Sequence, residues 1–173
     1  MPIYAKAGPT FKPAPAGAHA AVCCDVIDLG EIKVEYKGKA KVQHKIRIVW
    51  QIEELRDDGN PFTVNKRYTL SLHEKSTLRK DLESWRGRAF TEQELQGFDI
   101  EVLLSVPAMI NVIHQARDGS AYANITSIMR LPKSMEAPKV INYTRVCDRT
   151  PENTSEQPPD DYGAGITDDD VPF

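Results

Sequence analysis

The sequence predicts a mainly β protein: a five-stranded Greek-key barrel with a helical insertion between its third and fourth strands, followed by a disordered acidic C-terminal tail. Three observations predict it. Residues 41–52 alternate strictly, with Val42, His44, Ile46, Ile48, Trp50 and Ile52 on one face and Lys41, Gln43, Lys45, Arg47, Val49 and Gln51 on the other. Helical periodicity is confined to about residues 71–104, between three strand-like stretches and two more. After Arg149 there are seven acids, several prolines and no Lys or Arg, a composition too polar to bury a core.

Taken in order, residues 1–17 are rich in Pro, Ala and Gly and read as an extended leader. The first strand is expected over His19 to Leu29, with apolar groups on both faces, and Gly30 is expected to end it. Residues 31–40 then form a loop or hairpin tip with Lys33, Tyr36, Lys37 and Lys39. The second strand is 41–52, and Asp57-Asp58-Gly59-Asn60-Pro61 is a turn cluster. Phe62 to Ser71 reads as the third strand, where Lys66 interrupts the apolar face and marks a bulge or an edge. Ser71 with Glu74 fits a capping box opening a helix whose stripe is Leu78, Leu82 and Trp85 and whose stop is Gly87. Thr91 with Glu94 is a second capping box stopped by Gly97, and Asp99 to Leu104 adds a helical turn. Ala108 to Ala116 and Ala121 to Leu131 are the last strands, joined by a turn containing Asp118-Gly119. The organisation is therefore a leader (1–17), one domain (18–133) and a Pro- and acid-rich tail (134–173).

Strand, strand, strand, helix, strand, strand is the order of the OB-fold, although an SH3-like barrel or a small α+β sheet accommodates the same string. In the OB-fold the second and third strands and the loops joining strands one to two and four to five bind oligonucleotides. Those places hold Tyr36, Lys37, Lys39, Lys41, Lys45, Arg47, Arg67, Arg117 and Tyr122, the candidate nucleic-acid-binding residues. The cations would hold phosphates and the rings would stack on bases, which tolerates any base because each has a π-face. A solvated outer sheet face has the same charge pattern. Trp50 and Tyr68, in phase with apolar neighbours, read as core.

Catalytic signals fail on inspection. His73-Glu74 begins an H-E-x-x-H zinc motif, but residue 77 is Thr. Cys23 and Cys24 are adjacent rather than spaced as C-x-x-C, and neither a phosphate-binding loop nor a G-x-S-x-G elbow occurs. No enzyme activity, metal or cofactor is expected. Three cysteines make a poor disulfide set, the first ten residues lack the apolar run of a secretory leader, and no stretch of about 18 apolar residues exists to span a membrane. A reducing cytoplasm, that of a host bacterium if the resemblance below holds, fits these features. The net charge of −3 hides an asymmetry: without the seven tail acids, 22 bases face 18 acids in residues 1–149. A basic body on an acidic tail suits a body that meets a polyanion and a tail that meets something else.

The tail ends Asp168-Asp169-Asp170-Val171-Pro172-Phe173. Its ring can enter a pocket while carboxylates meet surrounding Lys or Arg, so these six residues are the candidate partner-binding site. This ending resembles that of bacterial single-stranded DNA-binding proteins, whose tips finish in three aspartates, an aliphatic residue, Pro and Phe and recruit replication, recombination and repair enzymes. The body differs from that family. Its block from Tyr68 to Phe90, with Asn111-Val-Ile-His114 and Tyr122-Ala-Asn-Ile125, instead resembles small bacteriophage single-stranded DNA-binding proteins of OB-fold type. That resemblance spans about residues 18–133 and implies fold and function but no site residues. It implies single-stranded DNA and replication or recombination proteins as partners, and exposed strand edges permit a homo-oligomer. The competing expectations are a protein-interaction adaptor, and an RNA-binding or nuclease-accessory protein.

Overall fold

Alternation of apolar side chains along five segments builds one antiparallel sheet in the computed structural model, which describes residues 12–117 and 119–149. The strands are β1 (Gly17–Tyr36), β2 (Lys39–Leu55), β3 (Pro61–Thr69), β4 (Pro107–Arg117) and β5 (Ser120–Met129). They lie in the order β3-β2-β1-β4-β5, every neighbouring pair antiparallel. The two outermost strands, β3 and β5, approach each other without joining in a ladder, so the sheet is curved but open. Between β3 and β4 come α1 (Thr77–Arg86), the short α2 (Glu92–Gln96) and a 3-10 turn at Ile100–Leu103.

The core fills the concave side. Ile46, Ile48, Trp50 and Ile52 of β2 project inward as their alternation requires, meeting Val64 and Tyr68 of β3 and Ile110 and Val112 of β4. Leu78, Leu82 and Trp85 form the buried stripe of α1. This helix touches both β3 and β5, covering the side where the sheet stays open. Trp50 and Trp85 pack at 5.7 Å between ring centres, and the Trp85 indole donates to the Pro107 carbonyl at 2.8 Å. Lys66 falls on the inward face of the edge strand β3 and reaches Asp81 of α1 at 2.7 Å, a carboxylate that the Tyr68 hydroxyl also meets at 2.7 Å.

Two sequence expectations are corrected. Gly30 does not end β1. With φ of 71° it carries a bulge, its amide held by the Asp28 carboxylate at 2.8 Å, and the strand runs on to Tyr36. The alternation Glu31-Ile32-Lys33-Val34-Glu35-Tyr36 is the period-two signal behind the extension. Lys37 and Gly38, both at positive φ, make the two-residue turn into β2. The result is a two-stranded arm projecting past the rest of the sheet. That is why Val42, expected inside, is 53% exposed.

The second correction concerns α1, which is capped by Ser76 rather than Ser71: the Ser76 hydroxyl accepts from the Arg79 amide. Ser71 instead closes a preceding turn, accepting from the His73 amide while its carbonyl receives the Ser76 hydroxyl. Gly87 at φ 74° ends the helix, and the Thr91–Glu94 capping box opens α2, both as the sequence predicts.

Part of the segment assigned to the tail is bound to the sheet. The Gln51 side chain exchanges two hydrogen bonds with the Ile141 backbone, at 2.7 and 2.9 Å. Buried Asp25 accepts from the Tyr143 hydroxyl (3.0 Å), the Arg145 guanidinium (3.2 Å) and the Val146 amide (2.9 Å). No helix among the described residues is long and apolar enough to cross a membrane.

Candidate nucleic-acid interface

Directly opposed residues of an antiparallel pair share a face, so the ladder registers decide which candidates stand together. Tyr36 pairs with Lys39, Val34 with Lys41, and Gly30 with Lys45. On the other side of β2, Lys45 pairs with Thr69 and Arg47 with Arg67. Lys39, Lys41, Lys45 and Arg47 alternate along β2, so Tyr36, all four cations and Arg67 occupy one outward face of the three-stranded β3-β2-β1 surface. The Lys37 ammonium sits 5.3 Å from the centre of the Tyr36 ring at the tip of the arm.

The cationic row divides by exposure. Lys37, Lys39 and Lys41 of the arm are exposed and Arg67 is half-buried. Lys45 and Arg47, expected to face solvent, are 5% and 6% exposed. The cause lies partly in a polar seam: the Lys45 ammonium donates to the Thr69 hydroxyl at 2.7 Å, and that hydroxyl lies 3.5 Å from the buried Gln43 amide oxygen. Arg47 opposite Arg67 sets two guanidinium groups at like-charge register, an arrangement that costs stability in a sheet unless an anion lies near. Arg67 has no acidic partner among the described residues.

The β2 face continues through Val49 to Gln51, where the chain around Ile141–Val146 crosses it and closes that end. Sequence reading missed this boundary. Its signal was a carboxylate, Asp25, inside the apolar run Val22-Cys23-Cys24-Asp25-Val26-Ile27, which demands partners when buried. Burial pushes the Tyr143 hydroxyl pKa upward, reinforced by the negative groups beside it, so the hydroxyl stays a hydrogen-bond donor to Asp25. Burial also pushes the Cys23 thiol up to about 12 and raises that of Cys24, so neither is a thiolate at neutral pH. Both are free thiols, and Cys24 sits at a bulge in β1 that leaves Asp25 opposite Val49.

Arg117 and Tyr122 are not brought to this face. They belong to the β4–β5 hairpin, where Arg117 pairs with Ser120 and Gln115 with Tyr122. That hairpin extends beyond the start of β1, whereas the cationic arm extends from the far end of the same strand. Asp168 to Phe173 lie outside the described residues. No group of three or more His, Cys, Asp or Glu side chains among the described residues is arranged to hold a metal ion. Neither a scan against models of protein families nor a search of curated proteins finds a match to this chain.

Proposed function

We propose that this chain is a non-enzymatic OB-fold protein that binds and protects single-stranded DNA, of the kind that serves phage replication and recombination, and that Asp168–Phe173 recruits partner enzymes. The observation that carries the reading is the single sheet face on which Tyr36, Lys39, Lys41, Lys45, Arg47 and Arg67 align. Strand order and the helix placed between β3 and β4 support the OB assignment, as does the approach of β3 to β5 where an OB barrel closes.

The mechanism follows from the face. Phosphates run along the β2 cations, whose alternate positions lie about 6.6 Å apart, two strand residues at about 3.3 Å each, close to the spacing of an extended nucleic-acid backbone. Lys39, Lys41 and Arg67 meet them directly, while Lys45 and Arg47 strengthen the local potential from below. Tyr36, at the edge of the row, offers a ring to an unpaired base. A duplex hides its base faces and cannot use that ring. Fluorescence anisotropy with oligo-dT, duplex DNA and RNA of equal length, across a salt series, tests the reading. Tighter binding of oligo-dT than of duplex, weakening as salt rises, is expected. Equal affinity for single strand and duplex indicates a generic polycation effect and refutes it.

A further inference from the structure

Along the arm, one side of β1 stays unpaired. β4 pairs with β1 only over Gly17–Val22. Ser105 and Val106 then bond to Cys23, and the Arg145 side chain reaches the Val26 carbonyl. From Glu31 to Tyr36 the side of β1 away from β2 meets no backbone partner among the described residues. The two-residue Lys37-Gly38 turn makes Tyr36 and Lys39 the closing hydrogen-bonded pair of the hairpin. Alternation then points the amides and carbonyls of Ile32, Val34 and Tyr36 at β2, and those of Glu31, Lys33 and Glu35 at the open edge. An open edge is a template for another strand.

Charges on an edge strand ordinarily repel such a strand. On this edge they select one. It reads Glu31-Ile32-Lys33-Val34-Glu35-Tyr36-Lys37. Laid antiparallel to a second copy of itself about Val34, it sets Lys33 opposite Glu35, Glu31 opposite the turn residue Lys37, and Ile32 opposite Tyr36, each twice by symmetry. Opposite charges and apolar groups directly across an antiparallel pair stabilise it. A slip of two residues one way sets Lys33 against Lys33 and Glu31 against Glu35, and the other way sets Glu35 against Glu35 and Lys33 against Lys37. Both registers oppose like charges and are disfavoured. Glu31, Lys33 and Glu35 are exposed, and none has an ion-pair partner in its own chain among the described residues.

We propose that the arms of two copies of this chain pair edge to edge, β1 antiparallel to β1 about Val34, forming a homodimer through residues 31–37. The contact is isologous: Lys33 of each copy meets Glu35 of the other. It ends at the Gly30 bulge, short of the place where Arg145 and Val146 meet Asp25 and Val26, so the two bodies lie at opposite ends of the joined arms. Pairing in this register keeps Tyr36, Lys39 and Lys41 of both copies on one side of a four-stranded ribbon. The association needs no nucleic acid and stands whether or not that side binds it. Seven residues a side make a small interface, which places the dimer in the weak, reversible class.

Sedimentation equilibrium of the full chain, freed of nucleic acid, from roughly 1 to 300 μM tests the pairing. The parent passes from the chain mass of 19.4 kDa to twice that value. The midpoint is on the order of tens of micromolar. Lys33→Glu and Glu35→Lys each turn two symmetry-related attractions into repulsions, and each alone weakens association roughly thirtyfold. An equimolar mixture of the two variants sets opposite charges together again and forms a mixed dimer at the parent's concentration. Lys33→Glu/Glu35→Lys in one chain restores the homodimer in the same way. Either recovery also shows that the single variants lost pairing rather than fold, with circular dichroism and the urea midpoint as direct controls. A parent that stays at the single-chain mass to 300 μM overturns the proposal, as does a dimer that Lys33→Glu leaves intact. Loss in both single variants with recovery in neither the mixture nor the double variant overturns it as well.

Discussion

Replacing Lys39, Lys41 and Arg67 together by Gln removes the three cations of the β2–β3 face that reach solvent while leaving the buried Lys45 and Arg47 in place. None of the three belongs to the core, so the variant should fold. Each phosphate contact on a single strand adds about −0.7 to the slope of log affinity against log salt. Three lost contacts therefore flatten that slope by about 2. Measured from a reference near 1 M salt, 0.15 M is about 0.8 log units lower, so each contact contributes about 0.6 log units, or about fourfold. The triple variant should bind oligo-dT about fiftyfold more weakly at 0.15 M salt and nearly as well as the parent near 1 M. Anisotropy titrations of a labelled oligo-dT at five salt concentrations read both numbers, with circular dichroism and a urea midpoint as the folding control. A folded variant with unchanged slope refutes the assignment of phosphates to this face.

Other perturbations follow from the geometry. Asp25→Ala removes a buried carboxylate that accepts three hydrogen bonds from residues 143–146, which should cost about 3 kcal/mol; an unshifted urea midpoint, or unaltered amide exchange over 141–149, contradicts the bound segment. Gly87→Ala places a side chain at φ 74° and should cost about 1 kcal/mol, because the added Cβ would meet Arg130 at an ordinary 3.7 Å and strain alone would be felt. Glu94 titrates lower in the folded chain, at about 2, than in the unfolded one, near the ordinary 4.5. The stability it contributes is therefore present above pH 4.5 and lost as pH falls toward 2. Between pH 5 and 2.5, Glu94→Gln should lose less stability than the parent in urea melts, and an equal loss contradicts the Arg86–Glu94 pairing.

Much of the fold was legible because the strongest signals were periodic. The stripe Leu78, Leu82, Trp85 and the alternation of 41–52 each name a buried face, and the structure buries Ile46 to Ile52 and the helix stripe accordingly. The arm was not legible as strand because Gly30 reads as a stop, whereas Asp28 holds its amide and converts the stop to a bulge. Ser71 mimicked a helix cap because its hydroxyl makes the same kind of hydrogen bond in the turn that precedes the true cap. Within the candidate interface, the sharing of a face by Lys39 through Arg47 follows from alternation alone. Two things did not. The match of Arg47 to Arg67 depends on cross-strand register, and so does the hydrogen bond from Lys45 to Thr69, a residue 24 positions away that register brings opposite. The closure of the face by residues 141–146 rests on contacts about 90 to 120 positions apart, beyond the range of any local pattern.

The central claim is that an unpaired strand lies along one face of β2, beside Tyr36. Ultraviolet crosslinking of the full chain to oligo-dT, followed by peptide mapping, tests it most directly. Attachment at Tyr36 and within 39–47 and 65–69 is the predicted result, lost in parallel with binding as salt rises. Attachment confined to α1, the β5 exit or the β4–β5 hairpin, with none on the arm, would contradict it.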